Sequence, residues 1–102
     1  MANQEPIYLE VLTAEKCPFS SKAVKLAKAV VSKTKGTKFV MRELSLDSDE
    51  GQAKAKEMDI EATPAITING RLAFVGVPSK PQLQTAISLE LQRMKERNSC
   101  FF

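Results

Sequence analysis

The feature that most constrains the fold is a cysteine placed between a strand-like segment and a long helical pattern. Residues 7–12 are mostly apolar and include the β-branched Ile7 and Val11, and helical periodicity follows Cys17-Pro18. The pattern predicts that Cys17 sits at a strand-to-helix turn, at or next to the helix N-cap, with Pro18 in the first helical position. First-turn N–H groups and the helix dipole would then stabilise a thiolate. The alternative is a small buried cysteine beside a proline that only starts a helix.

The length and the cysteine count predict a single domain in a reducing compartment. A chain of 102 residues suits a single modest core. Two cysteines cannot form a dense disulfide framework. Residues 1–6 are polar and lack the basic and apolar regions of a signal peptide. We therefore expect a cytoplasmic protein, with residues 1–6 as a disordered lead, residues 7–97 as the domain and residues 98–102 as a flexible tail.

The composition also excludes several classes of function. The chain has no histidine, which excludes Ser-His-Asp and Cys-His catalytic arrangements and the zinc sites that need histidine. The net charge is +3, and the basic residues are interleaved with acidic ones rather than clustered with aromatics. No apolar run approaches the roughly 20 residues of a membrane span. We expect neither a nucleic-acid partner nor a membrane partner.

The first half of the chain predicts a helix, a strand and a second helix after the turn. The first helix is expected to run to about residue 35, where Gly36 ends it. Its lysines are predicted to lie on the solvent side. Residues 38–46 read as a strand, with Phe39, Met41 and Leu44 on one side and Val40 on the other. Acidic residues from Asp47 onward favour the start of a second helix. The lysines of the first helix are Lys22, Lys25, Lys28 and Lys33.

The second half predicts a hairpin and a closing helix. Residues 60–68 read as a strand with Pro64 near its start, where a missing N–H is tolerated. Asn69-Gly70 favours a two-residue type I′ turn, and residues 71–75 follow as the partner strand. Ser79 and Gln82 resemble a capping box for a last helix that ends near residue 97. The element order is therefore β-α-β-α-β-β-α.

This order resembles the thioredoxin superfamily, and most closely its small glutaredoxin-like members. The Cys-Pro-aromatic turn after the first strand and Ala62-Thr63-Pro64 before the hairpin carry the resemblance, which covers about residues 7–91. It implies an α/β fold with a four-stranded mixed sheet in the order 2-1-3-4. Helices one and three would cover one face of the sheet, and helix two the other.

The resemblance also implies the site residues. Pro64 would be cis and face Cys17 across a groove, where the Thr63 backbone pairs with an extended peptide. The alternative is a trans proline on an edge strand. The catalytic residues implied are Cys17, Pro18 and Ser20, and the substrate-binding residues are Lys16, Phe19, Thr63, Pro64 and Gly76.

Ser20 stands where the superfamily usually has a second cysteine, three residues after the first. A dithiol enzyme uses that second thiol to release itself from a mixed disulfide, and Ser20 cannot do so. Its hydroxyl or N–H can instead hydrogen-bond the Cys17 thiolate. Single-cysteine members rely on a small thiol for release, or hold an iron–sulfur cluster between subunits.

The stretch around Gly76 departs from glutaredoxins that use glutathione. Those proteins generally carry Gly-Gly and an acidic residue near this place, whereas Gly76-Val77-Pro78-Ser79 has one glycine and no acid. This departure weakens the case for glutathione as the substrate. Gly76 either permits close backbone approach beside the groove or is a turn glycine.

Three functions from different classes follow. The first is a thiol–disulfide oxidoreductase that acts through Cys17 and is released by an external thiol. The second is a non-catalytic module that keeps the groove for binding a partner. The third is an iron–sulfur carrier, with Cys17 from two chains and two external thiols as ligands; Pro18 argues against it, since such carriers generally have glycine there. For the first we expect a monomer with no resident cofactor or metal, acting on a disulfide-containing protein or a small thiol.

The sequence also predicts that Cys100 is not a replacement for the missing second thiol. In the 2-1-3-4 arrangement the last helix begins near the active site and points away from it. At 1.5 Å per residue, a helix over residues 80–97 carries the chain about 27 Å away. A disulfide needs Cα atoms within roughly 7 Å. Cys100 is therefore expected to be an incidental thiol or a contact to another chain.

Overall fold

The computed structural model describes residues 5–99 and contains the seven elements that the sequence predicts, in the predicted order. Within this part of the chain, no helix is both long enough and apolar enough to cross a membrane. The elements are β1 (Ile7–Thr13), α1 (Ser20–Lys33), β2 (Phe39–Ser45), α2 (Asp49–Glu57), β3 (Ala65–Ile68), β4 (Arg71–Val75) and α3 (Lys80–Ser99).

The four strands form one mixed sheet in the order β2-β1-β3-β4, which confirms the predicted fold class. β1 pairs in parallel with β2 and antiparallel with β3, and β4 pairs antiparallel with β3. The end of β1 therefore lies beside the end of β2 on one side and the start of β3 on the other. In the register, Thr13 faces Ser45 and Leu12 faces Ala65. This arrangement brings the loops that carry the candidate site to one end of the sheet.

One face of the sheet packs against α1 and α3 because alternate strand residues are apolar and meet the apolar side of each helix. The odd-numbered β1 residues point to this face, as expected for a strand with period two. The main core comprises Ile7, Leu9, Val11, Ala23, Val24, Ala27, Val30, Ile66, Ile68, Leu83, Ile87 and Met94.

The opposite face packs against α2 in a smaller core. The sequence predicted that Leu44 lies on the same side of its strand as Phe39 and Met41, and this prediction was wrong. Phe39 and Met41 pack on the α1–α3 side, whereas Leu44 lies on the α2 side. The reason is strand parity, since an even-numbered position of β2 faces away from the odd-numbered ones. The smaller core comprises Leu12, Leu44, Ala55, Ile60 and Ala65.

A buried carboxylate also lies on the α2 side of the central strand. The Glu10 side chain accepts a hydrogen bond from the Thr67 hydroxyl at 3.3 Å. Arg42 and Lys54 each place a nitrogen 3.6 Å from a Glu10 oxygen. Burying a charge is costly unless it is paired and hydrogen-bonded, and Glu10 has both kinds of partner. Its contacts link β1, β2, β3 and α2.

The hairpin and the last helix form as their turn and cap residues predict. Asn69 and Gly70 have φ values of +50° and +80°, as a type I′ turn requires. The Asn69 amide also donates to Glu90 of α3 at 2.7 Å, which fixes the turn against that helix. Ser79 and Gln82 form the reciprocal capping box, because each backbone N–H donates to the other's side chain.

Two element boundaries differ from the prediction. β3 begins at Ala65 rather than near residue 60, because Ile60 N–H bonds Ala55 O at the end of α2 and Asp59 adopts φ +56°. Ile60 therefore joins the core as a loop residue. α3 continues to Ser99, so it includes the first residues of the expected tail. The rest of the tail and most of the expected lead, residues 1–4, lie outside the described residues.

We predict that Gly51→Ala destabilises the protein even though alanine favours helices. An added Cβ at Gly51 would lie 1.9 Å from the Ser45 carbonyl oxygen, so α2 would have to move away from the end of β2. Intrinsic propensity alone would stabilise the helix by about 1 kcal/mol. Overpacking of this kind costs about 1–3 kcal/mol, and we expect a net loss measured by urea unfolding. Gln52→Ala, on the exposed side of the same helix, is the control and should change stability little. A Gly51→Ala variant as stable as the wild type would contradict the close contact.

Candidate functional site

Two tight turns carry Cys17 from the end of β1 to the start of α1. Cys17 N–H bonds Ala14 O at 3.1 Å, and Ser20 N–H bonds Cys17 O at 3.2 Å. The first bond with α-helical spacing runs from Ala23 N–H to Phe19 O. The prediction that Pro18 occupies the first helical position was therefore wrong, because α1 begins at Ser20 and Pro18 lies in the preceding turn. Cys17 lies one turn before the helix.

Ser20 supports the sulfur of Cys17 from inside this turn. Ser20 is 6% exposed, and its Oγ accepts a hydrogen bond from Ala14 N–H at 3.1 Å. Since that bond uses a lone pair, the hydroxyl hydrogen is available to Cys17. The Ser20 hydroxyl is the largest cause of a lowered pKa of the Cys17 thiol. The Thr63 side chain is the next largest cause of the lowered pKa, and desolvation opposes it by a smaller effect. The N–H groups of Phe19 and Ser20 lower the pKa further, each by less than desolvation raises it.

The segment before β3 forms the other wall around the sulfur. The Thr63–Pro64 peptide bond is cis, and Pro64 is fully buried. The thiol of Cys17 donates to the Thr63 carbonyl oxygen at 3.4 Å. Gly76 N–H bonds the Pro64 carbonyl at 2.7 Å, which ties the end of β4 to the start of β3. Cys17, Ser20, Thr63, Pro64 and Gly76 therefore belong to one connected site.

Gly76 has the geometry of a turn glycine. Its φ of +97° lies in the region that residues with a side chain rarely adopt. A Cβ built there would meet no atom of the described chain within 4 Å. Within the chain itself, backbone conformation rather than close packing therefore explains glycine at this position.

The remaining predicted site residues form an exposed rim. Phe19 is 53% exposed, and Lys22 Nζ lies 5.5 Å from the centre of its ring. Pro18 is also exposed. Lys16 is exposed too, and it makes no ion pair or side-chain hydrogen bond with another described residue. The structure thus gives Phe19 a defined place beside Cys17 and leaves Lys16 free in solvent.

Sequence reasoning missed two parts of the site. The backbone N–H of Ala14 orients the Ser20 hydroxyl, and no side-chain pattern signals a backbone donor. Lys25 and Lys28, three residues apart on α1, line a groove that reaches Cys17. Their spacing on one helix side was visible in the sequence, but nothing there placed them beside the cysteine. Cys100 lies outside the described residues, and its expected role stays a prediction.

Within residues 5–99, no group of three or more histidine, cysteine, aspartate or glutamate side chains is placed to hold a metal ion. Cys17 has no second cysteine near it in this part of the chain. The chemistry that the arrangement supports is that of a stabilised thiolate beside a backbone that can pair with an extended peptide.

Comparisons with known proteins agree with this fold. A family model described as a thioredoxin domain matches residues 8–88. The probable thioredoxin of Methanothermobacter thermautotrophicus is 34% identical over 86 residues, which cover 84% of this chain and 98% of that protein. The thioredoxin of Methanocaldococcus jannaschii is 31% identical over 85 residues, which cover 83% of this chain and 96% of that protein.

We predict that Ser20→Ala slows the alkylation of Cys17 at pH 7. Loss of the hydroxyl removes the largest cause of the lowered pKa, so the pKa rises and less thiolate is present at neutral pH. The rate of reaction with iodoacetamide measures the thiolate. Ser21→Ala is the matched control, because Ser21 is the exposed neighbour and is not among the groups that lower the pKa. Equal rates for the two variants would show that the hydroxyl does not stabilise the thiolate.

Proposed function

The chain belongs to the thioredoxin superfamily as a thioredoxin-like redox protein, and on that premise we propose that it is a thiol–disulfide oxidoreductase acting through Cys17 alone. The observation that supports the proposal best is the set of hydrogen bonds around the sulfur. Hydroxyl and backbone donors from Ser20, Thr63 and Phe19 lower the pKa of Cys17. The thiolate, not the thiol, is the nucleophile in disulfide exchange.

In the first step the Cys17 thiolate attacks one sulfur of a target disulfide. A new S–S bond joins Cys17 to the target, and the other target sulfur leaves as a thiolate. We propose that the backbone of an extended target peptide pairs beside the Thr63 carbonyl, whose oxygen lies 3.4 Å from the Cys17 sulfur. Phe19 offers the target an apolar contact, and the turn at Gly76 leaves room for its chain.

In the second step an external thiol releases the target, because Ser20 supplies no second sulfur. A small thiolate attacks the mixed disulfide, and a second one restores the Cys17 thiolate and leaves as the oxidised small-molecule disulfide. The target gains two electrons and the small thiols lose two. The protein needs no resident cofactor or metal for this sequence.

The proposed partners follow from the same chemistry. The target is a disulfide-containing protein or a small disulfide, and the reductant is a low-molecular-weight thiol. We propose that the chain acts as a cytoplasmic monomer, without a nucleic-acid or membrane partner. A non-catalytic binding module would keep the groove at Thr63 but would not need a stabilised thiolate.

We predict that Ser20→Cys enables the protein to release a covalently bound target peptide without an added thiol, which the chain as it stands cannot do. With a fluorescent disulfide peptide and no added thiol, the chain as it stands should form about one mixed disulfide per Cys17 and then stop. Adding a small thiol should restore turnover. Ser20→Cys should release the peptide unaided, because residue 20 is within hydrogen-bonding reach of the sulfur.

Ser32→Cys is the matched control, since it adds the same thiol at an exposed position about three turns further along α1 and outside the groove that Cys17 borders. It should not release the peptide. The proposal fails if Cys17→Ser leaves peptide reduction intact, or if no mixed disulfide at Cys17 can be isolated.

A further inference from the structure

Cys17 borders a second depression that the peptide site does not use. This depression, the β2-side groove, has a volume of about 710 Å³, within the range of small-molecule sites. It is lined by the loop after β1, one side of α1 and the end of β2. The residues that carry its chemistry are Cys17, Glu15, Lys25, Lys28, Glu43 and Asp47.

The groove and the peptide site lie on different sides of Cys17. β1 is the strand before Cys17, and it lies between β2 and β3. Thr63 and Pro64 come directly before β3, whereas Ser45 ends β2 and Asp47 follows it. Neither Thr63 nor Pro64 lines the β2-side groove. A peptide paired beside Thr63 would therefore lie on the β3 side of the sulfur and would leave the β2 side open.

The walls of the groove carry opposite charges. Lys25 and Lys28 lie one turn apart on α1, so both side chains face the same wall. Glu43 of β2 is an acidic member of the lining. Within residues 5–99 none of these three side chains forms an ion pair, so no ion pair joins the two walls across the groove.

Asp47 is held in place before any ligand binds. Its Oδ2 accepts a hydrogen bond from Glu15 N–H at 3.2 Å and another from the Ser45 hydroxyl at 3.3 Å. Its own N–H bonds the Ser45 hydroxyl oxygen at 3.0 Å. These bonds join the loop after β1 to the end of β2, and they fix a carboxylate at the edge of the groove.

We propose that the β2-side groove binds the small thiol that releases the mixed disulfide, and that this thiol carries both a carboxylate and an ammonium group. Lys25 and Lys28 bind its carboxylate, and Glu43 and Asp47 bind its ammonium group. The inference rests on the proposed function of Cys17 and names the class of its reductant.

The placement suits the geometry of the exchange. Substitution at a disulfide sulfur proceeds with the entering and leaving sulfurs in line on opposite sides of the attacked atom. A thiolate in the β2-side groove attacks Cys17 Sγ, the bond to the target breaks, and the target thiolate leaves on the Thr63 side. A second small thiolate then attacks the sulfur of the bound small thiol, which restores the Cys17 thiolate and forms the small-molecule disulfide.

The test measures release of a fluorescent peptide from its mixed disulfide with Cys17, in the full-length chain carrying Cys100→Ser. Four thiols serve as probes: cysteine carries both charges, 3-mercaptopropionate only the carboxylate, cysteamine only the ammonium group, and 2-mercaptoethanol neither. Each rate is divided by the thiolate fraction of the reagent at the working pH. The variant is Lys25→Glu with Lys28→Glu. Lys35→Glu with Lys56→Glu is the control, because it changes the charge equally at exposed positions outside the groove.

We expect the rate with cysteine to saturate with concentration and the rate with 2-mercaptoethanol to rise linearly. The Lys25→Glu, Lys28→Glu variant should lower the ratio of the cysteine rate to the mercaptoethanol rate by about fivefold, since two exposed charge contacts are lost. The control pair should change this ratio less than about twofold.

Linear kinetics with cysteine, or an unchanged ratio in the groove variant, would overturn the inference and leave the proposed function standing. Equal rates for 3-mercaptopropionate and cysteine would overturn the assignment of the ammonium group. A chain that never forms the mixed disulfide would instead refute the proposed function itself, and this inference with it.

Discussion

The hydrogen bond from Ala14 N–H to Ser20 Oγ orients the hydroxyl group on which the lowered pKa of Cys17 most depends. It spans the two turns between β1 and α1, so it fixes where the helix begins and where the Ser20 hydroxyl points. The same hydroxyl is the largest cause of the lowered pKa of Cys17. The serine at position 20 therefore offers no second thiol but supplies a hydrogen-bond donor to the sulfur of Cys17.

Much of the fold could be predicted from local sequence signals. Asn69-Gly70 and the pair Ser79 and Gln82 each specify a local geometry through their own backbone and side-chain bonds, and the structure has both. The face that a strand residue occupies follows from its odd or even position in the strand. The prediction that Leu44 lies on the same face as Phe39 and Met41 was wrong for this reason. The start of α1 was also missed, because Pro18 suits a tight turn as well as a first helical turn.

Only those parts of the site whose positions follow from the order of strands and helices could be predicted from the sequence. The position of Cys17 after the first strand could be inferred from the sequence, and so could its nearness to Thr63 once the resemblance was recognised. The β2-side groove depends on long-range placement of α1 against β2, which no short motif encodes. The contacts of Glu10 with Thr67 and Lys54 are equally non-local, since they join three elements distant in sequence.

The central claim is that hydrogen-bond donors around the sulfur lower the pKa of Cys17, and titrating this thiol tests the claim most directly. Iodoacetamide alkylation of Cys17 is followed against pH in the chain carrying Cys100→Ser, so that one thiol reacts. Because donors to the sulfur lower its pKa, the rate should rise and level off with a midpoint below the ordinary thiol value of about 8.5. A midpoint at or above about 8.5 would contradict the account, because Cys17 would then be an ordinary thiol.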